Sequence, residues 1–230
     1  MTNVLITGAN RGLGLGFVKS FLAKNVNVIC TTRNIPGSKE LLECKKKNPK
    51  NLEILELDLL GENSENTLSD LLSDKPIDIF INNAGVGISN QRFGVVSSQP
   101  WVEVLKVNLI APLTVTQSII ENIKKGSDKK IYILSSQLGS IQDNKSGGMY
   151  IYRSSKTALN QVVKSLSVDL KPMGITVISL HPGWVKTDMG GPNAPVSIDE
   201  SIKGMMKVID TTDIRNTGTF LNFDGQGLPW

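Results

Sequence analysis

The sequence predicts an α/β protein: a single-domain, doubly wound (Rossmann-type) parallel sheet with helices on both faces, spanning residues 1–230. Three observations predict it. Short, wholly apolar runs alternate along the chain with segments of helical period, and strands apolar on both sides belong to sheets covered twice. A glycine-rich turn follows the first apolar run without a gap. The chain has neither an internal repeat nor a linker, so its elements share one core.

Residues 4–7 are the first strand, and 15–23 carry apolar side chains at helical spacing. Residues 26–31 are the second strand, 38–47 a polar helix, and 52–57 the third strand. A helix at 65–73 leads to the fourth strand, 77–81. Residues 101–124 are mainly helical, with Pro112 marking a kink or break, because proline lacks the N–H that a helix interior needs. The fifth strand is 131–134, and 152–170 form a long helix closed by Pro172 and Gly174. Residues 175–180 are the sixth strand, 198–209 a helix, and 219–221 a last short strand. Ligands of such a domain sit in the crevice at the carboxyl ends of its strands.

With 40% hydrophobic and 20% charged residues and no long apolar run, the composition is that of a soluble globular protein without a membrane span. The net charge of +4 is mild, and its densest run, Lys45-Lys46-Lys47, reads as a solvated helix end, so no nucleic-acid partner is expected. Cys30 and Cys44 fall in no metal or redox spacing. They predict no metal site and a reducing compartment, hence a cytoplasmic protein. Met1-Thr2-Asn3-Val4 enters a strand-like run at once, without the basic and apolar regions of a signal peptide.

Thr7-Gly8-Ala9-Asn10-Arg11-Gly12-Leu13-Gly14 joins the first strand to the first helix. Gly8 permits a tight turn, Gly12 lets the backbone approach a pyrophosphate, and Gly14 lets the helix pack against the strand; the helix N-terminus points at the anion. The spacing is G-x-x-x-G-x-G rather than G-x-G-x-x-G, and its place directly after the first strand makes it specific. Dinucleotide preference is read after the second strand, where a carboxylate meets a 2′-hydroxyl and an arginine a 2′-phosphate. Thr31-Thr32-Arg33-Asn34 holds no acid, and Arg11 lies in the glycine turn. Two guanidinium groups without a carboxylate to repel a phosphate favour NADP(H) as cofactor; the alternative is that both are surface arginines. Asp58, after the third strand, is placed to accept a hydrogen bond from the adenine amino group or to cap a helix.

Asn82-Asn83-Ala84-Gly85 follows the fourth strand, where small residues let the backbone pass close to a cofactor. Ser135-Ser136-Gln137-Leu138-Gly139 follows the fifth. Met149-Tyr150-Ile151-Tyr152-Arg153-Ser154-Ser155-Lys156 then opens a helix with two tyrosines and a lysine. Positions i and i+4 share a helix face, which puts Lys156 beside Tyr152. Tyr150 is six residues from the lysine, ~600° of rotation or ~240° net, and points elsewhere. A free tyrosine titrates at about 10, too high for proton work at neutrality. A neighbouring ammonium stabilises the phenolate and is expected to bring that value down.

In order and at their spacings, Thr7-Gly8-x-x-x-Gly12-x-Gly14, Asn82-Asn83-Ala84-Gly85, Asn108, Ser136, Tyr152-x-x-x-Lys156 and Pro182-Gly183 carry a resemblance. From residue 4 to about residue 222 the chain resembles the short-chain dehydrogenase/reductases. More narrowly, "SSQLGSIQDN", "YRSSKTALN", "HPGWVKTDMGG" and the final Leu228-Pro229-Trp230 look like the sniffer-type carbonyl reductases. The resemblance implies Tyr152 as proton donor, Lys156 lowering its pKa and holding the nicotinamide ribose, Ser136 orienting the carbonyl, and Asn108 holding a water of the proton relay. Ser136 is preferred to Ser135 because a serine, two residues and a glycine, here Gly139, fit the family pattern. The implied cofactor-binding set is Gly8, Asn10, Arg11, Gly12, Leu13, Gly14, Arg33, Asp58, Leu59, Asn83, Ala84, Gly85, Tyr152, Lys156, Pro182, Gly183, Val185 and Thr187, the last on the nicotinamide carboxamide. The stretch from Ser136 to Tyr152 is longer than is usual in the family, so a loop at 143–148 is expected on the site rim.

Gln137, Tyr150, Trp184 and Met189 are expected to line the substrate pocket, and residues 183–195, rich in glycine and proline, are a candidate lid or an ordinary surface loop. Trp101 and Trp230 read as core anchors. His181, the only histidine, reads as structural, since no G-x-S-x-G elbow accompanies it. The function expected is NADPH-dependent reduction of a small carbonyl (ketone, aldehyde or quinone) to an alcohol. The alternatives are a non-catalytic NADP-binding sensor or signalling protein of the same fold, and an NAD-dependent alcohol dehydrogenase. Homodimer, homotetramer and monomer stay open, residues 101–124 and 152–170 being where relatives pair.

Overall fold

Alternation along the strands decides the layers. In the computed structural model, which describes residues 2–61, 64–88 and 91–230, Val4, Ile6, Ile79, Ile81, Tyr132, Leu134, Ile178 and Leu180 join one buried cluster. Their neighbours in the chain, Leu5, Phe80, Ile131, Ile133 and Val177, join another. Side chains that point to opposite faces of a sheet require a cover on each face.

The strands are β1 (Asn3–Ile6), β2 (Asn27–Thr32), β3 (Leu52–Glu56), β4 (Ile79–Asn82), β5 (Lys130–Leu134), β6 (Thr176–His181) and β7 (Phe220–Asn222). Among the described residues they form one seven-stranded sheet in the order β3-β2-β1-β4-β5-β6-β7, with parallel pairing throughout. Parallel neighbours need crossovers, and helices supply them. The helices are α1 (Gly12–Ala23), α2 (Lys39–Lys47), α3 (Ser64–Leu72), α4 (Ser98–Leu105), α5 (Ala111–Ser118), α6 (Ile120–Lys125), α7 (Tyr150–Leu170) and α8 (Ile198–Thr211). Phe17 and Phe21 of α1, Leu41 of α2 and Met205 of α8 cover one face. Leu68 of α3, Val115 of α5, Ile123 of α6 and Val163 of α7 cover the other. The chain runs outward in both directions from β1 and β4, so the ends of those two strands open into a crevice. Met1, part of the expected N-terminal run, lies outside the described residues.

Two elements differ from expectation. The stretch 101–124 is not one helix broken at Pro112. It is α4, a π turn (Lys106–Ile110), α5 and α6, with a further break at Ile119. Pro112 has no N–H for the carbonyl of Asn108 and crowds it, so the disruption falls on the turn before the proline. There the Ala111 N–H reaches back five residues to the Lys106 carbonyl. Helix α7 begins at Tyr150 rather than Tyr152, after Gly147, Gly148 and Met149, all at positive φ. Among the described residues no helix is long and apolar enough to cross a membrane.

Candidate active site

The site is assembled from the exits of β1, β4 and β5 and the first turns of α7. Gly8 has φ +64°, and a Cβ there would lie 2.9 Å from the Ala84 Cα, so a glycine is what lets the β1 exit touch the β4 exit. Thr7 locks the two together. Its hydroxyl donates to Asn82 Oδ1 at 3.1 Å and accepts the Asn83 and Ala84 N–H groups at 3.1 and 3.2 Å. Asn83 Nδ2 returns two bonds of 2.9 Å to the Thr7 and Gly8 carbonyls. Arg11 precedes α1 in extended backbone and gives no side-chain cap, so the first amides of α1 stay available to an anion.

Between these exits lies a cleft of about 1140 Å³. Of the expected cofactor residues, Gly8, Asn10, Arg11, Gly12, Leu13, Gly14, Arg33, Asp58, Leu59, Asn83, Ala84, Gly85, Tyr152, Lys156, Pro182 and Thr187 line it. Gly183 and Val185 do not. Val185 is buried and bridges to Val196, and Gly183 backs onto the Phe223 ring. Thr31, Thr32, Asn34 and Val86 also form wall and were not foreseen. Asp58 caps a turn, not a helix: its Oδ1 accepts the Leu60 N–H at 3.0 Å. Arg33 is exposed at the wall, whereas Arg11 is ion-paired with Asp188, 67% and 75% of their side chains being exposed.

At the α7 end, the Ser136 side chain stands close enough to Tyr152 to favour its phenolate. Ser136 Oγ also accepts the Leu138 N–H at 3.1 Å, starting a 3-10 turn (Gln137–Gly139). The Ser135 hydroxyl instead donates to Asn160 Oδ1 at 2.7 Å, which leaves Ser136 as the serine facing the tyrosine. Lys156 Nζ lies 6.0 Å from the Tyr152 ring centroid and donates to the Leu134 carbonyl at 2.8 Å.

The electrostatics reverse one expectation. Burial pulls Lys156 down to about 8. Burial also pushes Tyr152 above its ordinary value, and Ser136 only opposes it. The lysine does not depress the phenol as expected, because its ammonium is bonded to Leu134 and stands off the ring while desolvation penalises the phenolate directly. Asn108, within the π turn, is fully buried. Its side chain takes the Val86 N–H at 2.8 Å and donates to the Val86 carbonyl and to Ser155 Oγ at 2.9 and 3.2 Å. That amide therefore clamps the β4 exit to α7.

Of the four side chains expected on the substrate wall, one borders this cleft. Met189 lines the cleft and packs at Gly87. Trp184 is 55% exposed, with its indole N–H donated to the Gly190 carbonyl at 2.7 Å. Gln137 is exposed and donates to Asp143. Tyr150 lies beside Phe93, ring centroids 6.4 Å apart, and lines a separate pocket of about 480 Å³ with Asn144, Gly147 and Gly148. Of the tryptophans read as anchors, Trp101 donates to Ser154 Oγ at 3.0 Å and Trp230 stacks on Phe220. His181 is pulled down to about 4 by burial, and its buried Nδ1 has no hydrogen-bond partner among the described residues. Gln91, unnoticed in the sequence, accepts the Tyr152 N–H at 2.7 Å.

A nucleotide-sized cleft at the switch point of a doubly wound sheet, with Tyr152 and Lys156 on its wall, is the site of a dinucleotide-binding domain. Residues 2–195 match the model of the short chain dehydrogenases. The fold is similar to Carbonyl reductase Sniffer of D. melanogaster, at 38% identity, TM-score 0.92 and 100% coverage of both chains. It is also similar to an NADPH-bound carbonyl reductase from chicken fatty liver, at 35% identity and TM-score 0.92, over 100% of this chain and 99% of that one. C-signal of Myxococcus xanthus is 39% identical over 155 residues, 67% of this chain and 93% of that protein. The chain belongs to the short-chain dehydrogenase/reductase family.

Proposed function

We propose that the protein is an NADPH-dependent carbonyl reductase with Tyr152 as proton donor to a ketone, aldehyde or quinone oxygen. The observation that carries this reading is Tyr152, buried beside Ser136, which acts on its phenol, and placed with Lys156 on the wall of the cleft. Carbonyl reductases of the same fold, from chicken fatty liver and Pseudomonas aeruginosa, have been solved with NADPH or NADP bound. The residues present fit that cofactor. Gly8 and Gly12 at positive φ and the uncapped start of α1 suit a pyrophosphate, and Arg33 suits a 2′-phosphate.

NADPH, when bound, supplies the hydride to the carbonyl carbon. The chain supplies the proton and the orientation. Burial keeps Tyr152 in its neutral form at pH 7, which is the form a proton donor must have. Its O–H proton passes to the carbonyl oxygen, and Ser136 Oγ–H holds that oxygen in place. Lys156, at about 8, is mostly cationic at neutrality and stands with Tyr152 on the cleft wall. The test is NADPH oxidation over a panel of carbonyls. Tyr152→Phe is expected to lower kcat on the order of 1,000-fold, with NADPH affinity unchanged. Undiminished turnover in that variant would remove Tyr152 as the acid.

The similarity to C-signal favours a second reading, a signalling protein that binds NADP and does not turn it over. Tight NADPH binding with no oxidation across the panel would select it.

A further inference from the structure

Helix α7 carries the proposed acid in its first turn yet does not cap itself. The residue before it, Met149, is left-handed at φ +50° and makes no side-chain cap bond. Gly147 and Gly148, also left-handed, precede it. An ordinary cap is a Ser, Thr, Asp or Asn in extended backbone whose oxygen accepts the second or third amide of the helix. Here the first intrahelical bond is Arg153 N–H to the Met149 carbonyl, 2.8 Å. The third amide is that of Tyr152 itself.

That amide donates to Gln91 Oε1 at 2.7 Å, across 61 residues of chain. Gln91 is 6% exposed. Its Nε2 donates to the Ile88 carbonyl, which leaves Oε1 as the atom able to accept. The segment between β4 and α4 is therefore fixed twice: at Val86 by Asn108, and at Gln91 by the backbone of the tyrosine.

We infer that Gln91 is a positioning residue for Tyr152: its carboxamide caps α7 from the β4–α4 segment and so sets where the phenol stands relative to Ser136. The inference rests on the reading of Tyr152 as acid. Gln91 touches neither the reacting atoms nor Lys156 in any recorded bond, so its effect passes through the helix start.

The test compares Gln91→Met, which keeps the bulk and removes both bonds, with Gln91→Glu, which keeps an oxygen for the Tyr152 amide. Assay at pH 6 favours a buried carboxyl that retains a proton for Ile88. Gln91→Met is expected to lower kcat by about 10- to 100-fold, the scale of a misplacement of about 1 Å, while the dissociation constant for NADPH stays within about 2-fold. Gln91→Glu is expected to stay within about 3-fold of the parent kcat. Unchanged kcat in Gln91→Met, loss of NADPH binding together with kcat, or a Gln91→Glu variant as poor as Gln91→Met would each overturn the proposal. Amide exchange by NMR on the parent is the second measurement. The Tyr152 N–H is expected to exchange at least about 100-fold slower than an open amide, and fast exchange overturns the cap. This arm reads the cap whether or not the parent reduces carbonyls, so failure of the capping idea and failure of the reductase reading are separable.

Discussion

Arg11 and Arg33 both line the cleft, but only one of them is recorded in an ion pair. Arg11 must leave Asp188 before it can meet a phosphate, and an exposed pair of this kind holds by about 1 kcal/mol at most. Arg33 lies exposed on the stretch after β2 where a 2′-phosphate is read. Arg33→Ala is therefore expected to weaken NADPH by about 10- to 100-fold, one charge-assisted contact, and to leave NADH within about 2-fold. Asp188→Asn, which frees Arg11, is expected to tighten NADPH by about 2- to 5-fold. Titrations of nicotinamide fluorescence measure both. Equal losses for NADPH and NADH in Arg33→Ala would remove it from the phosphate site. That both arginines border the cleft was legible in the sequence, because it follows from their position after a strand. The Arg11–Asp188 pair was not, since it joins residues 177 apart through loop geometry.

At the scale of elements, α7 and the exit of β5 must meet closely to bring Tyr152 to Ser136, and Gly139 is the contact. A Cβ on Gly139 would lie 2.8 and 2.9 Å from the Lys156 carbonyl carbon and oxygen, which are backbone and cannot rotate away. Thr157 Oγ1 holds the same point by a 2.9 Å bond to the Gly139 carbonyl. Gly139→Ala is expected to push α7 off the turn, costing about 1–3 kcal/mol of stability by overpacking and lowering kcat more than NADPH affinity. Urea unfolding and single-substrate kinetics read the two effects; a variant with parental kcat would show that the contact does not position the tyrosine. Periodicity made the strands and long helices readable, because burial on one or two faces leaves its mark residue by residue. The π turn and the early start of α7 left no such mark. One follows from where Pro112 throws its disruption, the other from three left-handed residues that need a cap from Gln91. The substrate wall was least legible. Tyr150, Gln137 and Trp184 contact Phe93, Asp143 and Gly190, partners set by loop geometry that leaves no pattern in the sequence.

For the whole molecule, the single histidine makes the acid side of the stability curve interpretable. His181 ends β6, and burial pulls it from 6.5 down to about 4, with Asp224 opposing. In the unfolded chain the same side chain titrates at about 6.5. Between those values the unfolded state binds a proton that the native state refuses, so stability falls as pH is lowered through this window. Above 6.5 both states are neutral and the residue contributes no slope; below about 4 both are charged and the slope ends. Over the whole window the fall amounts to about 3 kcal/mol. That is a large share of the 5–15 kcal/mol usual for a folded domain. His181→Gln removes the titration while keeping a polar side chain of similar reach. Urea unfolding at pH 7, 6, 5 and 4.5 is expected to show the parent losing stability steadily while the variant stays nearly flat until the carboxylates begin to protonate. Asp213, held at about 2 by the Arg215 guanidinium, gives way only below that range and does not obscure the comparison. Parallel curves for parent and variant would mean that His181 accepts its proton in the native state, and with it that the end of β6 opens to water near the carboxyl edge of the sheet.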